Sequence, residues 1–463
     1  MSDQAKNEKT LGAFAQAMKS DWDQRARENA RWFINTVRLD QTEDEFDATG
    51  VNEIRALITP ELSLMTQGRD PKTLRFLEIG CGIGRMTKHL ASIFGEVHAT
   101  DVSGEMIAQA RHRLRLLPNA RLYETSGVDF AALPDNYFDI AFSAYVFQHM
   151  PSKEVIRSNV VEAYRAVKPG GVLKLHSNGV ESQVYESVGK DTWAGATFTE
   201  GEMRALAREL GAQLTSVYGA RTMYCWTMMR KPLEPRRQPA ADPEVVFHAR
   251  ADNAVIKSVP AAGDDAWLSL VARGIDPESV DANNLTVFID GRPMTPRYVG
   301  RVRPHFEEEL SKQFGAALDR LIYVETAIPV GVAAGAVQTR IQLESGAASP
   351  PYEVTLGAAT PAAPIIVTVR NGDDYGTDVH ARGPKSSLRL FVEGLDENST
   401  CDNVRLRAGG QDVRPTFVGF AVDIAGYRID FDLPAGLGAG LTDLVLISNG
   451  VESKPVPIEV QDS

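Results

Sequence analysis

A mostly parallel, seven-stranded α/β sheet followed by two all-β sandwiches is the architecture that the sequence predicts. Three observations carry the prediction. Between Leu74 and Arg230 short apolar runs alternate with helical segments, the rhythm of strands joined by crossover helices. The segment from Lys231 to Pro243 then breaks that rhythm with four prolines and reads as an extended, stiff linker. Beyond it, short strand-like runs are separated by Gly, Pro, Asn and Asp, and the pattern occurs twice.

Bulk properties narrow the function classes. A chain of 463 residues holds two or three cores, and 43% apolar with 24% charged residues is ordinary for a globular protein. A formal net charge of −12 argues against nucleic acid as the substrate, because such binding works by releasing phosphate counterions to a basic face. Cys81, Cys225 and Cys401 are far apart and form no Cys-x-x-Cys pair, so neither a disulfide framework nor a metal site is expected. The polar first residues and the lack of any membrane-length apolar run lead us to expect a cytoplasmic protein without membrane contact.

Residues 1–69 read as a helical cap. Met18 to Ile34 places large apolar residues on one stripe, and Gly50 and Pro60 punctuate the stretch after Ile34. Trp22 and Trp32 are either packing residues or part of a lid. The unit 70–231 begins with a buried strand at Leu74–Ile79 and a helix from Arg85 to Phe94. A strand at Glu96–Asp101 and a helix at Gly104–Leu117 come next. Strands at Leu122–Glu124, Phe138–Ser143 and Val172–Ser177, with a helix at Ser152–Val167 before the last, continue the alternation. A helix at Thr199–Leu210 and strands near Gln213–Tyr218 and Met223–Arg230 complete it.

Residues 232–243 form the linker, and the repeats span 244–358 and 364–463. Leu268–Asp276 matches Leu388–Asp396, Arg297–Gly300 matches Thr416–Gly419, and Ile328–Gly335 matches Leu433–Gly440. The offsets are 120, 119 and 105, so the first copy carries 14 extra residues, around the charged segment Pro304–Arg320. Each copy has the size of a β-sandwich, and the pair looks like tandem immunoglobulin-like or TIG-type domains.

The chemistry concentrates at Leu77–Thr87, the junction of the first strand and the first helix. Glycines at 80, 82 and 84 let the backbone turn tightly and approach a ligand that a Cβ would collide with. The helix start offers free N–H groups to a carboxylate. Asp101 ends the second strand, where a carboxylate can accept ribose hydroxyls. A dinucleotide site would want Gly-x-Gly-x-x-Gly, but Arg85 takes the final position, and a phosphate loop would want Gly-Lys-Ser/Thr after Gly84.

These segments resemble the class I S-adenosylmethionine (SAM)-dependent methyltransferase family, whose domain is Rossmann-like. Glu78-x-Gly80-x-Gly82-x-Gly84 matches its first motif, and His98–Met106 its second-strand segment. Gly127–Asp139 looks like its loop and fourth strand, Ser143–Met150 the segment facing the methyl group, and Val167–Leu173 the Pro-Gly-Gly turn before the fifth strand. The resemblance covers about 110 residues and implies SAM as cofactor. It implies contacts from Glu78, Ile79, Gly80, Cys81, Gly82, Gly84, Asp101, Val102, Met106, Val128, Asp129 and Ser143. Met106 and Asp129 have plain alternatives, as a core residue and as a loop acid bonding its own backbone. Cys81 reads as a small turn residue rather than a nucleophile.

His149 is the candidate general base, with a helix-start residue making backbone bonds as the plainer alternative. Because methyl transfer is an in-line displacement dominated by positioning, a base is optional, and no metal is implied. Ser143-Ala144-Tyr145-Val146 departs from the Asn-Pro-Pro-Tyr type sequence of base-modifying enzymes. The pattern Val146–Pro151 is similar to methyltransferases of small molecules and sugars, and Val184–Phe198 would be a substrate loop. The expected acceptor is a small molecule or saccharide, with the β-modules serving interaction, self-association or recruitment. The rival reading is a non-catalytic SAM-binding scaffold.

Overall fold

The computed structural model describes residues 3–36, 38–180, 192–234, 242–250, 259–260, 267–329, 332–357, 363–373, 376–395, 399–421 and 426–462. The core of the expected linker (235–241) and residues 184–191 of the expected substrate loop, Tyr185 and Asp191 among them, lie outside the described residues. No described helix is long and apolar enough to cross a membrane.

The cap holds α1 (Asp3–Ile34), α2 (Glu43–Leu57) and α3 (Leu62–Thr66). α1 starts well before Met18 and is broken at Asn29, whose backbone is extended (φ −165, ψ 84). The Asn29 side-chain oxygen accepts the Trp32 N–H, restarting the helix as an N-cap does. α2 begins at a reciprocal capping box of Thr42 and Glu45.

The α/β unit runs β1 (Arg75–Ile79), α4 (Thr87–Ile93), β2 (Glu96–Asp101), α5 (Gly104–Arg113), β3 (Ala120–Glu124) and β4 (Phe138–Ser143). It continues as α6 (Lys153–Ala166), β5 (Val167–Ser177), α7 (Glu200–Glu209), β6 (Gln213–Tyr218) and β7 (Cys225–Arg230). The strand order is β3-β2-β1-β4-β5-β7-β6, with β7 antiparallel to β5 and β6. β1 and β4 are buried along nearly their whole length because helices cover both their faces. The order reverses between β1 and β4, which opens a crevice at their carboxyl ends.

Three local expectations are corrected. The helix after the glycine turn starts at Thr87 rather than Arg85, and α5 stops at Arg113 rather than Leu117. Pro169-Gly170-Gly171 lies inside β5 instead of preceding it. Gly170, at φ 82, donates its N–H to Lys231 O, so the turn is absorbed as an irregularity in a longer strand.

The first β-module contains β8 (Glu244–Arg250), β9 (Val259–Pro260), β10 (Trp267–Arg273), β11 (Leu285–Ile289), β12 (Arg292–Met294), β13 (Tyr298–Gly300), α8 (Pro304–Phe314), β14 (Ile322–Ala327), β15 (Gly335–Leu343) and β16 (Tyr352–Gly357). The second contains β17 (Ile365–Asn371), β18 (Val379–His380), β19 (Ser387–Glu393), β20 (Val404–Ala408), β21 (Gln411–Val413), β22 (Pro415–Ala421), β23 (Gly426–Asp432), β24 (Gly440–Ser448), β25 (Val451–Glu452) and β26 (Val456–Gln461). The sheets β13-β14-β10-β8 and β12-β11-β15-β16-β9 recur as β22-β23-β19-β17 and β21-β20-β24-β26-β18. The repeat is therefore a repeat of topology, and the first copy's insertion becomes α8 and the short helix Gly315–Arg320.

The parallel sheet does not stop at seven strands. β13 pairs antiparallel with β6, Tyr298 opposite Ser216, so eleven strands run continuously from β3 to β8. Val217 N–H donates to Arg297 O (2.7 Å), Leu214 N–H to the Asp281 carboxylate (2.7 Å) and Ala282 N–H to Leu214 O (2.9 Å). One apolar cluster passes from Leu173 and Leu214 into Leu270, Val299 and Val324. Charge ties the units together as well. Glu325 accepts from Arg297 (3.0 Å) and the Tyr218 hydroxyl (3.1 Å), while Glu61 of the cap pairs with Lys174 of β5 (2.5 Å) and with Arg303 (3.7 Å). The second module has its own core around Leu388, Leu390, Ile429 and Leu446.

Candidate functional site

The glycine turn follows β1. Gly80, Gly82 and Gly84 have φ of 75, 53 and 81, a region that other residues rarely adopt. A Cβ at Gly80 would lie 2.3 Å from Val146 Cγ2, and one at Gly82 would lie 2.6 Å from Ile34 Cδ1. At Gly84 it would meet Leu114, the residue that caps the end of α5, so that glycine serves packing against the helix rather than the crevice. Gly80 and Cys81 N–H both donate to Thr100 O, fastening the turn to β2.

Asp101 faces this turn. One carboxylate oxygen accepts Gly82 N–H (2.8 Å) and the other Ser103 N–H (2.9 Å). Burial pushes its carboxyl up to about 6, against those two bonds and with the nearby Asp23 adding to the rise. Asp23, on α1, accepts the Ser103 hydroxyl (2.6 Å) and Glu105 N–H (3.2 Å) at the start of α5.

Glu78 is turned into the core, 4% exposed, and accepts the Thr87 hydroxyl (2.6 Å). Burial pushes it up to about 7, opposed by that bond and by Arg85. A buried acid with a raised folded pKa costs stability as pH climbs from its unfolded value of 4.5 through about 7. Glu78→Gln keeps an acceptor for Thr87 and is therefore expected to stabilise the protein at pH 8 by up to about 3 kcal/mol. Near pH 4.5 the gain should be absent. Denaturant titrations at the two pH values check this, and an equal shift at both would refute it.

The other expected residues divide. Val102 and Val128 border the crevice half-exposed, and the buried Ser143 hydroxyl donates to Ile79 O (3.3 Å). Ile79 and Cys81 are buried, with the Cys81 thiol pushed far up by desolvation. Met106 is 1% exposed in a cluster with Ala26, Ala30, Phe46 and Ile83. Asp129 bonds the Ser126 hydroxyl (2.6 Å) and Ala131 N–H (3.0 Å) within its own loop.

α1 lies along the crevice. Met18 sits against Gly127, where a Cβ would come within 2.7 Å of its Cε, and Ile34 sits against Gly82. A cavity of about 420 Å³ opens between Gly12, Gln16 and Lys19 of α1 and Glu124, Ser126 and Val128. What touches the glycines is the tips of Val146, Ile34 and Met18, not main chain. Rotamer changes and a small shift of α1 would therefore clear room. The glycine turn and Asp101 do not line that cavity; together, a side-chain-free turn with a carboxylate across from it suits a nucleoside bearing an amino-acid tail.

His149 stands at the other end. Its Nδ1 donates to Trp193 O (2.9 Å), which leaves Nε2 as the acceptor, 3.2 Å from the Gln148 amide nitrogen. Its ring meets those of Trp22 and Trp193 at 5.4 and 5.3 Å. The Arg25 guanidinium lies over Trp22, Trp193 and Phe33 at 4.8, 5.5 and 5.9 Å and donates to the Thr192 hydroxyl (2.8 Å).

His149 is not the sole histidine at these strand ends. Buried His176, at the end of β5, accepts Tyr145 N–H (3.1 Å) and donates to Met223 O (2.9 Å). Desolvation holds it down to about 3, so it stays neutral. Tyr145 adopts φ 60, strained for an aromatic residue, and its hydroxyl donates to Glu53 of α2 (3.1 Å). Sequence reasoning missed Arg25, Phe33, Glu53 and His176, because nothing in their spacing distinguishes them from packing residues.

Residues 77–175 match the family model described as a methyltransferase domain. The chain is 35% identical over 111 residues to phosphoethanolamine N-methyltransferase 2 of Caenorhabditis elegans, covering 23% of this chain and 25% of that protein. It is 33% identical over 118 residues to trans-aconitate 2-methyltransferase of Variovorax paradoxus, covering 25% and 43%. It is 24% identical over 148 residues to dTDP-3-amino-3,4,6-trideoxy-alpha-D-glucopyranose N,N-dimethyltransferase of Streptomyces venezuelae, covering 32% and 59%. The chain thus spans less than two thirds of each relative's own length.

Proposed function

We propose that this chain is a SAM-dependent methyltransferase acting on a small-molecule acceptor. The observation that carries the reading is Asp101 facing a side-chain-free turn at the point where the strand order reverses, in a sheet with β7 reversed. The matched methyltransferase domain covers that same segment. The relatives are named for acceptors as different as an aminoalcohol phosphate, a tricarboxylate and a nucleotide sugar, which supports the small-molecule class and names no single acceptor.

In this reading the main chain at Gly80 and Gly82 receives the amino-acid tail, Asp101 accepts the ribose hydroxyls, and Val102 and Val128 flank the base. Bound there, the cofactor supplies an electrophilic methyl group on a cationic sulfur. Trp22, Phe33 and Trp193 exclude water from the transfer zone. His149, holding its Nδ1 proton on Trp193 O, would take a proton from the acceptor at Nε2 in place of the Gln148 amide bond. The β-modules, read as immunoglobulin-like, would recruit an acceptor such as a saccharide or a partner protein. The protein would act in the cytoplasm.

Calorimetry with SAM and S-adenosylhomocysteine, paired with radiolabelled-methyl transfer to small-molecule pools, tests the reading. Binding of neither ligand sinks it, and binding without transfer to any pool leaves the scaffold alternative. His149→Ala is expected to lower kcat by about 10²-fold with SAM affinity unchanged. Full retained turnover would remove His149 as a base.

A further inference from the structure

The two β-modules can be compared strand by strand, and they differ at one edge. In the first, the outer strand β13 is covered by β6 of the α/β unit. In the second, the equivalent strand β22 ends its sheet, and no strand among the described residues pairs with its outer side.

The surface that receives β6 is repeated there. Tyr298 and Gly300 correspond to Phe417 and Gly419, and in both modules the aromatic ring folds over the glycine. A Cβ at Gly300 would lie 3.0 Å from the Tyr298 hydroxyl, and one at Gly419 would lie 2.3 Å from Phe417 Cζ. The Gly300 position is also 3.2 Å from Thr215 of β6, so this glycine stands where the covering strand comes close. A held carboxylate follows the same pattern. Glu325 is bonded by Arg297, Tyr323 and the Tyr218 hydroxyl of β6, and Asp430 is bonded by Arg389 and Arg428, with Arg428 over the Phe417 ring at 5.1 Å.

β22 is also the more exposed to pairing. It has seven residues against three for β13, and Pro-Thr-Phe-Val-Gly-Phe-Ala carries no charge. Open edges are normally guarded by charged side chains, prolines or bulges. The guards here, Pro415 and the irregularity beside it, sit at the first residues of the strand. Four described edge strands have five or more residues, and the other three carry charge: Arg121 and Glu124 in β3, Glu244 and Arg250 in β8, and Arg370 in β17. Among the described edge strands of that length, the one uncharged match for β22 is β22 of another copy.

We propose that two copies of this chain associate by antiparallel pairing of β22 with β22 of a second copy, joining two four-stranded sheets into one across a twofold axis. The proposal is independent of the methyltransferase reading. Sedimentation velocity of the full chain, from low to high micromolar, should show a monomer–dimer equilibrium. Amide exchange over residues 416–421 should slow as the dimer forms. Thr416 is exposed, and Thr416→Lys, which installs a guarding charge, should weaken association at least tenfold. A chain that stays monomeric overturns the proposal. So does a dimer whose exchange protection falls on β17 or elsewhere and leaves β22 unprotected. The exchange measurement on the unsubstituted chain decides between these outcomes even if Thr416→Lys disturbs the module.

Discussion

A chain ended after Lys231 is expected to be insoluble or unfolded, although it contains every segment that resembles a methyltransferase. Removal of the first β-module strips the partner from β6 and leaves Leu214 and Val217 without the cluster that includes Leu268, Leu270, Val299 and Val324. It also deletes the acceptors and donors around Asp281, Arg297 and Glu325. Uncovering an apolar side chain costs about 1.5–3 kcal/mol, and a domain's whole stability is about 5–15 kcal/mol, so the loss of several such contacts suffices. The bare β6 edge would in addition template aggregation. A chain ended after Gly357 removes only a module with a separate core and should unfold within a few degrees of the parent's main transition. Solubility, near-ultraviolet circular dichroism and calorimetric scans of the two truncations check the contrast. A soluble, cooperatively folding 1–231 chain would show that the sheet continuity is incidental.

For Asp101→Asn we expect SAM affinity to fall by about 10- to 100-fold, since a hydrogen bond to a charged acceptor is worth about 1.5–3 kcal/mol. Stability has two opposed parts. The folded pKa of Asp101 is raised, so its ionisation costs stability as pH rises from its ordinary value of 3.8 to about 6, a cost that the neutral amide avoids. The amide offers one acceptor oxygen to the two N–H groups of Gly82 and Ser103, however, and the bond it forfeits costs about 1–3 kcal/mol. Weaker binding with a melting temperature at pH 8 within a few degrees of the parent's therefore separates a lost contact from a damaged fold. In the unsubstituted protein the same carboxylate must be ionised to accept the ribose hydroxyls, so affinity should drop as pH falls below about 6. Calorimetric titrations across that range measure it, and an affinity indifferent to both the substitution and pH would place the cofactor elsewhere.

Much of the α/β unit was legible because its signals are local. Buried strands such as Phe138–Ser143 are mostly apolar segments of strand length, and helices such as α7 announce themselves by a cap, here Thr199 with Glu202. The glycine turn was legible because positive φ narrows the choice of residue. Leu268–Asp276 and Leu388–Asp396 show the repeat because equal topologies demand apolar residues at equal spacings. The turn before β5 was misplaced because a bulge and a turn call for the same glycine.

By itself, the sequence determined the succession of elements, the glycine turn after β1, the acid at the end of β2 and the duplication of the β-module. These rest on backbone preference and burial periodicity, which act over a few residues at a time. Only the tertiary structure decided that β13 closes the edge of β6, that α1 lies along the crevice, and that Arg25, His149 and Trp193 meet. Each of those joins segments distant in the chain through one pairing or contact, and a three-residue strand such as Tyr298–Gly300 carries too little pattern to name its partner. Which edge meets which is settled by shape and by the apolar area left uncovered, and neither quantity exists until the chain has folded.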